Sequence, residues 1–419
     1  MTFSTFGSRL SAHSGINELM DDLGQALAAG GMRMLGGGNP ASIPAVQAIW
    51  RQRLHEMSEA SGGDLDRALA NYDPPRGNPR FLEALAGLLN AEYGWGLTPD
   101  NIAVTAGGQS AFFFLFNLLA GEMPDGSRKK ILLPLAPEYI GYANQGACDD
   151  LFYAAEPKIE LTGEREFKYR VDFDRLRVGD DIAAICASRP TNPTGNVLTD
   201  GEVRRLAEMA DAAGIPLILD NAYGLPFPAA IFEDAAPVWN ENIILTMSLS
   251  KLGLPGTRTG IVIAKPEVAD AIGRMTAVVG LANGNLGQAI AAPLIQSGEI
   301  LRISRELICP FYREKSGQAQ AWVHEAFGGE GSYRIHRSEG AFFLWLWFEG
   351  MQITSRELYA RLKKRGVIVV PGEYFFFGMD AQHDDWRHRH ECIRMSFAMA
   401  EDDVREGIRI IAEEVKAAM

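Results

Sequence analysis

The stretch Met247-Ser248-Leu249-Ser250-Lys251-Leu252-Gly253-Leu254-Pro255-Gly256-Thr257-Arg258-Thr259-Gly260 follows an apolar run and sets the interpretation of the whole chain. Two hydroxyls, on Ser248 and Ser250, stand just before Lys251, and Arg258 and three glycines follow it. An amine that is nucleophilic at neutral pH must be desolvated or lie near other cations. Arginine and loop glycines also suit a bound phosphate. We interpret Lys251 as the covalent anchor of a cofactor, although a solvated loop lysine fits this stretch equally well when it is considered alone.

The composition is that of an ordinary globular protein with more than one domain. The chain has 419 residues, which exceeds the length at which a single core keeps growing. Hydrophobic residues make up 47% and charged residues 22% of the sequence, as in a typical soluble protein. The net charge is -13, from 40 basic and 53 acidic residues. This charge, without any Lys/Arg run, argues against a nucleic-acid partner.

Cysteine spacing and apolar runs indicate the compartment. The four cysteines have no C-x-x-C spacing, so they predict neither a disulfide framework nor a zinc site; they are Cys148, Cys186, Cys309 and Cys392. The longest apolar runs, Ala111–Ala120 and Ala341–Phe348, are shorter than the roughly 20 residues of a membrane helix. The N-terminus also lacks the pattern of a signal peptide. We therefore expect a cytoplasmic protein without a membrane segment.

Three histidines near the C-terminus are candidates for a metal site. His383, His388 and His390 lie in a segment rich in Asp, Arg and Trp. Such histidines in a polar loop are usually solvated, so we expect no metal here.

From Asn101 onwards, short apolar runs alternate with amphipathic helices, which is typical of a parallel sheet with crossover helices. Helices are predicted over Gln109–Ala120, Glu202–Ala213 and Pro266–Val279. Strands are predicted over Ile102–Thr105, Lys130–Leu135, Ile182–Ser188, Pro216–Asp220, Ile243–Ser248 and Thr259–Ala264. In such sheets ligands bind beyond the carboxyl ends of the strands.

The C-terminal part has a different pattern and predicts a smaller α+β domain. A long helix after Leu286 is followed by four short predicted strands and two helices. We expect an N-terminal arm over residues 1–45 that contributes to the small domain, a large domain over residues 46–288 and the small domain over residues 289–419.

Polar motifs occur at the ends of several predicted strands. Gly107-Gly108-Gln109 opens a helix, where free backbone N–H groups can hold an anion, although a glycine turn before a helix is common without one. Tyr139 offers a flat ring after the next strand. Pro190 and Pro193 fix the backbone around Asn192, and Asp220 places a carboxylate at the end of an apolar strand, where it needs a charged or protonated partner.

One cofactor accounts for all of these motifs. Pyridoxal 5′-phosphate requires a lysine for attachment, a carboxylate at its ring nitrogen, donors to its phenolic oxygen, a stacked aromatic ring and a phosphate site. The corresponding residues are, in that order, Lys251; Asp220; Asn192 and Tyr223; Tyr139; and Gly107, Gly108 and Gln109 with Ser248, Ser250 and Arg258.

The order of these motifs resembles the fold-type I, class I/II aminotransferases over nearly the whole chain. The matching motifs are Asn192-Pro193-x-Gly195, Asp220-x-x-Tyr223 and Ser248-x-Ser250-Lys251-x-x-Gly253-x-x-Gly256-x-Arg258-x-Gly260. The resemblance implies an α/β fold whose large domain has a mostly parallel seven-stranded sheet flanked by helices. It also implies a homodimer, in which Tyr72 reaches the site of the neighbouring subunit.

The resemblance further implies the roles of substrate-binding and catalytic residues. Arg394 would bind the substrate carboxylate in a bidentate manner, with help from Gly38 and Asn192. Lys251 would be the Schiff-base lysine and the proton shuttle of a ping-pong transamination, with Asp220 and Tyr223 as further catalytic residues.

Within this family the sequence is most similar to the subgroup that uses L-valine and pyruvate. The similar segments are His13–Ile16, Met34–Pro40, Leu135–Tyr142, Ser188–Val197, Asp220–Pro228 and Gly340–Phe348. Two features depart from the expected pattern: Gly108 replaces an expected serine, and Glu373-Tyr374 occupies a loop that can line the substrate side. An aminotransferase for other neutral amino acids and a β-lyase on the same scaffold remain alternatives, whereas a transcription regulator would need a DNA-binding region before Gly36.

Overall fold

A computed structural model describes the chain except residues 13, 30, 60–62, 330–331, 381–382 and 384. His13, which belongs to one of the subgroup-like segments, therefore lies outside the described residues. The helices are α1 (Thr5–Leu10), α2 (Gly15–Ala29), α3 (Pro44–Glu59), α4 (Asp64–Ala70), α5 (Pro79–Tyr93), α6 (Gly108–Leu119), α7 (Asp200–Ala213), α8 (Pro266–Gly280), α9 (Leu286–Gln296), α10 (Glu299–Arg302), α11 (Cys309–Phe327), α12 (Ser355–Lys364), α13 (Arg387–His390) and α14 (Glu401–Lys416).

The strands are β1 (Arg33–Met34), β2 (Ile102–Thr105), β3 (Gly121–Glu122), β4 (Arg128–Leu133), β5 (Phe152–Ala154), β6 (Lys158–Leu161), β7 (Glu166–Arg170), β8 (Ile182–Ser188), β9 (Leu217–Asp220), β10 (Ile243–Ser248), β11 (Gly260–Ile263), β12 (Arg334–His336), β13 (Phe343–Trp347), β14 (Val367–Ile368), β15 (Val370–Pro371) and β16 (Cys392–Ser396). Among the described helices, none combines the length and the apolar content needed to cross a membrane.

The central sheet confirms the predicted α/β class, but it has eight strands instead of the expected seven. Its strand order is β2-β11-β10-β9-β8-β4-β3, and β5 also pairs with β4. The pairs β10/β9, β9/β8, β8/β4 and β4/β5 are parallel, whereas β11 is antiparallel to both of its neighbours. The six predicted strands are all present, whereas β3 and β5, which both pair with β4, were not predicted.

The parallel strands form because their residues are apolar on both faces. Every residue of β8, β9 and β10 is buried, as expected for strands covered by helices on both sides. Thr199 and Glu202 form a capping box at the start of α7, and Gly214 ends it in the left-handed conformation. Polar groups can therefore face ligands only where these strands end.

A second sheet has the strand order β15-β16-β13-β12-β7-β6. The hairpin of β6 and β7 was not predicted, and it pairs with β12 although it lies within the range 46–288 predicted for the large domain. The arm residues Arg33–Met34 pair with Val367–Ile368. The long helix predicted after Leu286 is divided into α9, α10, a π-helical segment (Ile303–Ile308) and α11.

A buried ion pair fastens this hairpin to the rest of the molecule. The side chains of Lys168 on β7 and Glu339 before β13 are 2% and 4% exposed, and they form a direct ion pair. Lys168 also donates to the Val197 carbonyl at 3.1 Å, while the Val197 amide donates to Glu339 at 2.9 Å. The pair thus joins the second sheet to the loop that follows β8.

Replacement of Lys168 by methionine removes the close cation of the buried Glu339 carboxylate and leaves Arg337, which lies 3.7 Å away, as its remaining ion-pair partner among the described residues. We expect the free energy of unfolding to fall by about 3 kcal/mol, measured as a lower urea midpoint. The double variant K168M/E339L removes both charges and should recover most of this loss, and R409A, at an exposed ion pair, should leave the midpoint unchanged. A double variant as unstable as K168M would contradict the prediction.

Candidate active site

The predicted polar residues meet at one edge of the central sheet. Asp220, the last residue of β9, lies opposite Ser188 at the end of β8 and opposite Thr246 near the end of β10. Ser248 ends β10 and pairs with Gly260, which in turn pairs with Thr105 at the end of β2. Pairing of apolar strands, parallel from β8 to β10 and antiparallel at β11, has therefore aligned residues that are far apart in the sequence.

Lys251 lies in a single 3-10 turn directly after this edge. The residue as a whole is half-buried, but its amine lies 5.2 Å from the ring centre of Tyr223 and 5.4 Å from that of Phe342. Nζ donates to the Gly38 carbonyl at 2.7 Å. Burial, together with the positive charges of Arg394 and Arg258, lowers the pKa of Lys251 to about 8. The neutral, nucleophilic form of the amine is thus far more populated near neutral pH than in an ordinary lysine.

Asp220 is a buried carboxylate with several hydrogen-bond donors. It is 7% exposed and accepts from the Tyr142 hydroxyl, from the Ala222 amide at 2.9 Å and from Thr246 Oγ1 at 3.5 Å. Burial raises its pKa, and these hydrogen bonds oppose that effect. A protonated ring nitrogen bound against Asp220 would favour the ionised carboxylate further. Tyr142 was not predicted as a site residue, although it stands three residues after Tyr139.

An anion site is formed at the start of α6. Gly107 has φ of 88° and precedes a helix that no described side chain caps. A Cβ on Gly107 would lie 2.1 Å from Nη2 of Arg258, so only glycine allows this approach of the guanidinium. Ser248 Oγ and Ser250 Oγ lie 2.9 Å apart. Free amides, hydroxyls and a guanidinium on adjacent strands are the donors that bind a phosphate.

The two residues after Gly107 differ in their surroundings. A Cβ on Gly108 would meet no atom within 4 Å, so the expected serine is not excluded there by space. The side chain of Gln109 donates to the Gly141 carbonyl at 2.8 Å, which fastens the start of α6 to the segment of Tyr139 and Tyr142. Gln109 can therefore contribute its backbone amide, but not its side-chain amide, to an anion.

A second cationic group lies beside the anion site. Arg394 is 2% exposed, and its guanidinium donates to Asn192 Oδ1 and to the Gly36 carbonyl, both at 2.7 Å. Its Nε has no partner among the described residues. The guanidinium lies 4.3 Å from the ring centre of Phe343 and 5.3 Å from that of Phe375. Burial lowers its pKa to about 10, so it stays positively charged at neutral pH and can accept a carboxylate.

The tyrosines of the predicted set have different environments. Tyr223 is 5% exposed, and its ring packs edge-on against Phe342 and Phe343. Tyr139 packs edge-on against Tyr142 at 5.2 Å, next to Asp220. Tyr72, in contrast, is 82% exposed.

The Glu373-Tyr374 pair connects the arm to the second sheet. Tyr374 donates to Glu18 of α2 at 2.5 Å. Glu373 lies 3.2 Å from His390 and 3.7 Å from Arg356. This departure from the expected pattern therefore serves to hold α2 beside the site.

The histidines near the C-terminus do not converge. His383 lies 3.3 Å from Glu156, and His390 faces Glu373. The expectation of a solvated segment is wrong for His388, which is 4% exposed and packs between Trp347 and Trp386. Within the described ranges, no group of three or more His, Cys, Asp or Glu residues is placed to hold a metal ion.

The fold and the site define an enzyme in which a buried lysine, a strand-end carboxylate and a phosphate site face one another. Residues 50–411 match the family model of aminotransferase class I and II. The chain belongs to the class I and II aminotransferases. The cofactor of this family is pyridoxal 5′-phosphate. The close approach of Arg258 to Gly107 suits the phosphate of this cofactor. The Nε of Arg394, which has no partner among the described residues, suits a substrate carboxylate.

Individual relatives are similar over the full length of the chain. The valine–pyruvate aminotransferase of Escherichia coli K12 is 49% identical over 418 residues, covering 100% of this chain and 99% of that protein. The crystal structure of valine-pyruvate aminotransferase from Salmonella typhimurium LT2 matches with a TM-score of 0.88 and 50% identity, covering 96% of this chain and 99% of that chain. A putative amino-acid aminotransferase from Psychrobacter arcticum 273-4 matches with a TM-score of 0.96 and 46% identity, covering 100% and 99%.

The environment of Lys251 predicts its titration. In the apoenzyme, the rate at which pyridoxal and cyanoborohydride label Lys251 should rise with pH with a midpoint near 8, because burial and two arginines favour the neutral amine. Arg258→Ala removes one positive charge and should move this midpoint to higher pH. Peptide mapping by mass spectrometry separates Lys251 from exposed Lys265, which is the internal control. Equal midpoints for the two lysines would refute the prediction.

Proposed function

We propose that this chain transfers the amino group of L-valine to pyruvate and forms 3-methyl-2-oxobutanoate and L-alanine by a ping-pong mechanism. The observation that carries the proposal is the 49% identity, over the full length of both chains, with a relative named for these two substrates. The Salmonella typhimurium structure with the same named activity supports it. The cytoplasm is the proposed location, since the four cysteines are free.

The cofactor would be held by side chains from several strand ends. When bound, pyridoxal 5′-phosphate supplies an aldehyde carbon that amines attack and a ring that accepts electrons. We assign the ring nitrogen to Asp220, the phenolic oxygen to Asn192 and Tyr223, and ring stacking to Tyr139. The phosphate is assigned to Gly107, Gly108 and Gln109 with Ser248, Ser250 and Arg258.

The substrate is oriented by Arg394 and deprotonated by Lys251. The free Nε of Arg394 and one Nη nitrogen can form a bidentate pair with the α-carboxylate, and Asn192 and the backbone at Gly38 lie beside this position. With the cofactor bound, the amine of Lys251 in its neutral form would be the base that takes the proton from the substrate α-carbon. The same amine, once protonated, would be the acid that returns this proton to the cofactor carbon.

The charges around Lys251 favour a substrate with a neutral side chain. In the part of the chain that the structure describes, the cations that act on Lys251 are Arg394 and Arg258. The first is assigned to the α-carboxylate and the second to the phosphate, so no further cation that acts on Lys251 is left, among the described residues, for an acidic side chain. The rings of Tyr223 and Phe342 add apolar surface near the amine.

A donor panel tests the substrates. With pyruvate as acceptor, L-valine should give the highest kcat/KM among L-valine, L-leucine, L-isoleucine, 2-aminobutyrate and L-aspartate, and 2-oxoglutarate should be a poorer acceptor than pyruvate. Keto-acid formation is measured by chromatography, and ammonia release is measured in parallel to detect β-lyase activity. Lys251→Ala, the negative control, should have no turnover. Preference for L-aspartate or 2-oxoglutarate would overturn the substrate assignment.

We also propose a homodimer in which Tyr72 completes the site of the neighbouring subunit. Tyr72 is 82% exposed, and at the C-terminal end of α8 Val278 is 87% and Leu281 58% exposed. The two segments are joined, since Asn285 donates to the Asn71 carbonyl at 2.6 Å. An exposed aromatic residue on an apolar patch is typical of an interface.

Mixed dimers test this arrangement. Lys251→Ala homodimers should be inactive and Tyr72→Ala homodimers impaired. A heterodimer of the two variants contains one intact site, because the Lys251→Ala subunit lends its Tyr72 to the neighbour. Turnover per heterodimer, isolated with two affinity tags, should therefore approach half of the wild-type value. If the turnover of the heterodimer does not exceed that of the Tyr72→Ala homodimer, Tyr72 belongs to the site of its own subunit or to no site. Sedimentation of the wild-type protein as a monomer would exclude the dimer itself.

A further inference from the structure

A buried acid that the assignments above do not use lies directly behind the cofactor site. Glu138 is 1% exposed and immediately precedes Tyr139. Its carboxyl group faces the backbone amide of Ser188 at 2.9 Å, the hydroxyl of Ser188 at 2.6 Å and the amide of Tyr139 at 3.2 Å. Its own amide donates to the Phe375 carbonyl at 3.0 Å.

These contacts connect three parts of the site. Ser188 ends β8, lies opposite Asp220 and starts the loop of Asn192. Tyr139 and Tyr142 follow Glu138 on the same short segment, and Tyr142 donates to Asp220. The segment between β4 and the two tyrosines is thus fixed to the neighbouring strand end mainly through this one carboxyl group.

We propose that Glu138 is a positioning residue that acts as a neutral, protonated acid: it fixes Tyr139 and Tyr142 against β8 and leaves Asp220 as the negative charge behind the cofactor ring.

Charge balance supports the neutral form. Among the described residues, no lysine, arginine or histidine forms an ion pair with Glu138, and an isolated carboxylate in such a place is strongly disfavoured. The groups that face it from the surrounding elements are Tyr142 on its own segment, Cys186 on β8 and Asp220 on β9. None of them is a cation. Burial, with the charge of Asp220, raises the pKa of Glu138 to about 8.

The hydrogen bonds also fit a protonated acid. Oε1 accepts from the Ser188 amide, and Oε2 accepts from the Tyr139 amide at 3.2 Å and lies 2.6 Å from the Ser188 hydroxyl. In a protonated acid the O–H can donate to this hydroxyl instead of accepting from it. Glutamine has the same shape and can make both bonds to Ser188, with its NH₂ in the place of the O–H, and it loses only the longer bond from the Tyr139 amide, because an NH₂ group cannot accept. The neutral-acid proposal therefore predicts that glutamine substitutes for Glu138 and that alanine does not.

The test compares Glu138→Gln, Glu138→Ala and the wild-type holoenzyme. This test depends on the proposed transamination but not on the identity of the substrates. Each variant is compared with the wild type on the same amino donor, whichever donor the panel selects. Three quantities are measured: kcat, the dissociation constant of pyridoxal phosphate from the apoenzyme, and the pH midpoint of the visible absorption of the lysine-bound cofactor. Glu391→Ala is the matched control, because Glu391 is a buried acid of the second sheet that binds Trp347 and Gly350.

Glu138→Gln should stay within about twofold of the wild type in all three quantities, and Glu138→Ala should lower kcat by about tenfold or more and weaken cofactor binding, because small displacements of site residues are costly. Glu391→Ala should change only stability. If Glu138→Ala does not yield folded protein, Ser188→Ala, which removes the hydroxyl partner of the acid, takes its place with the same direction of effect.

Two results would overturn the proposal. An absorption midpoint that moves to lower pH in Glu138→Gln would show that a negative charge had been removed, so that Glu138 is ionised in the wild type. Wild-type kcat and cofactor affinity in the Glu138→Ala or Ser188→Ala enzyme would show that this carboxyl group positions nothing. Failure of L-valine as a donor would leave both readouts intact and would affect the substrate assignment alone.

Discussion

The hydrogen bond from the buried guanidinium of Arg394 to Asn192 is the contact on which the arrangement of the site depends. Arg394 belongs to the second sheet, Asn192 to a loop of the central sheet, and Gly36, which accepts its other hydrogen bond, to the N-terminal arm. One desolvated cation thus fixes three segments. Its partners are neutral amide oxygens and two aromatic rings. No carboxylate in the described ranges pairs with it, so its charge acts on the neighbouring groups.

This uncompensated charge explains the state of the lysine. Arg394 and Arg258 both act on Lys251, and together with burial they favour its neutral form. The acidic groups of the site are stabilised differently, by hydrogen bonds. Neither Asp220 nor Glu138 forms an ion pair within the described part of the chain, and their oxygens accept hydrogen bonds from Tyr142 and Ser188. In the described part of the chain, Arg394, Arg258 and Lys251 form no direct ion pair with Asp220 or Glu138, so groups of both signs are left to pair with a ligand.

The sequence predicted the central sheet well because its strands are apolar on both faces and end in polar motifs. It did not predict β6 and β7, since Lys158–Leu161 and Glu166–Arg170 mix charged and apolar residues and pair with strands that follow much later. Glu138 and Tyr142 were overlooked for a related reason. Their importance comes from proximity to Ser188 and Asp220, which only the pairing of strands creates. The domain bounds of 45 and 288, drawn from changes in periodicity, stay a prediction. The hairpin of β6 and β7 lies between these bounds in the sequence but pairs with β12, which lies beyond residue 288.

The late partners of β7 bear on how the chain folds during synthesis. Domains generally form as their residues leave the ribosome, and the central sheet is complete once Ile263 has emerged. Strand β7 must wait for Ile335 and His336, and Lys168 must wait for Glu339. Meanwhile its edge is open to pairing with other chains. The hairpin carries charged residues, including Lys158, Glu160 and Arg170, and charged side chains on an open edge discourage such pairing. The mixed composition that made these strands hard to predict is therefore also one that opposes aggregation of the nascent protein.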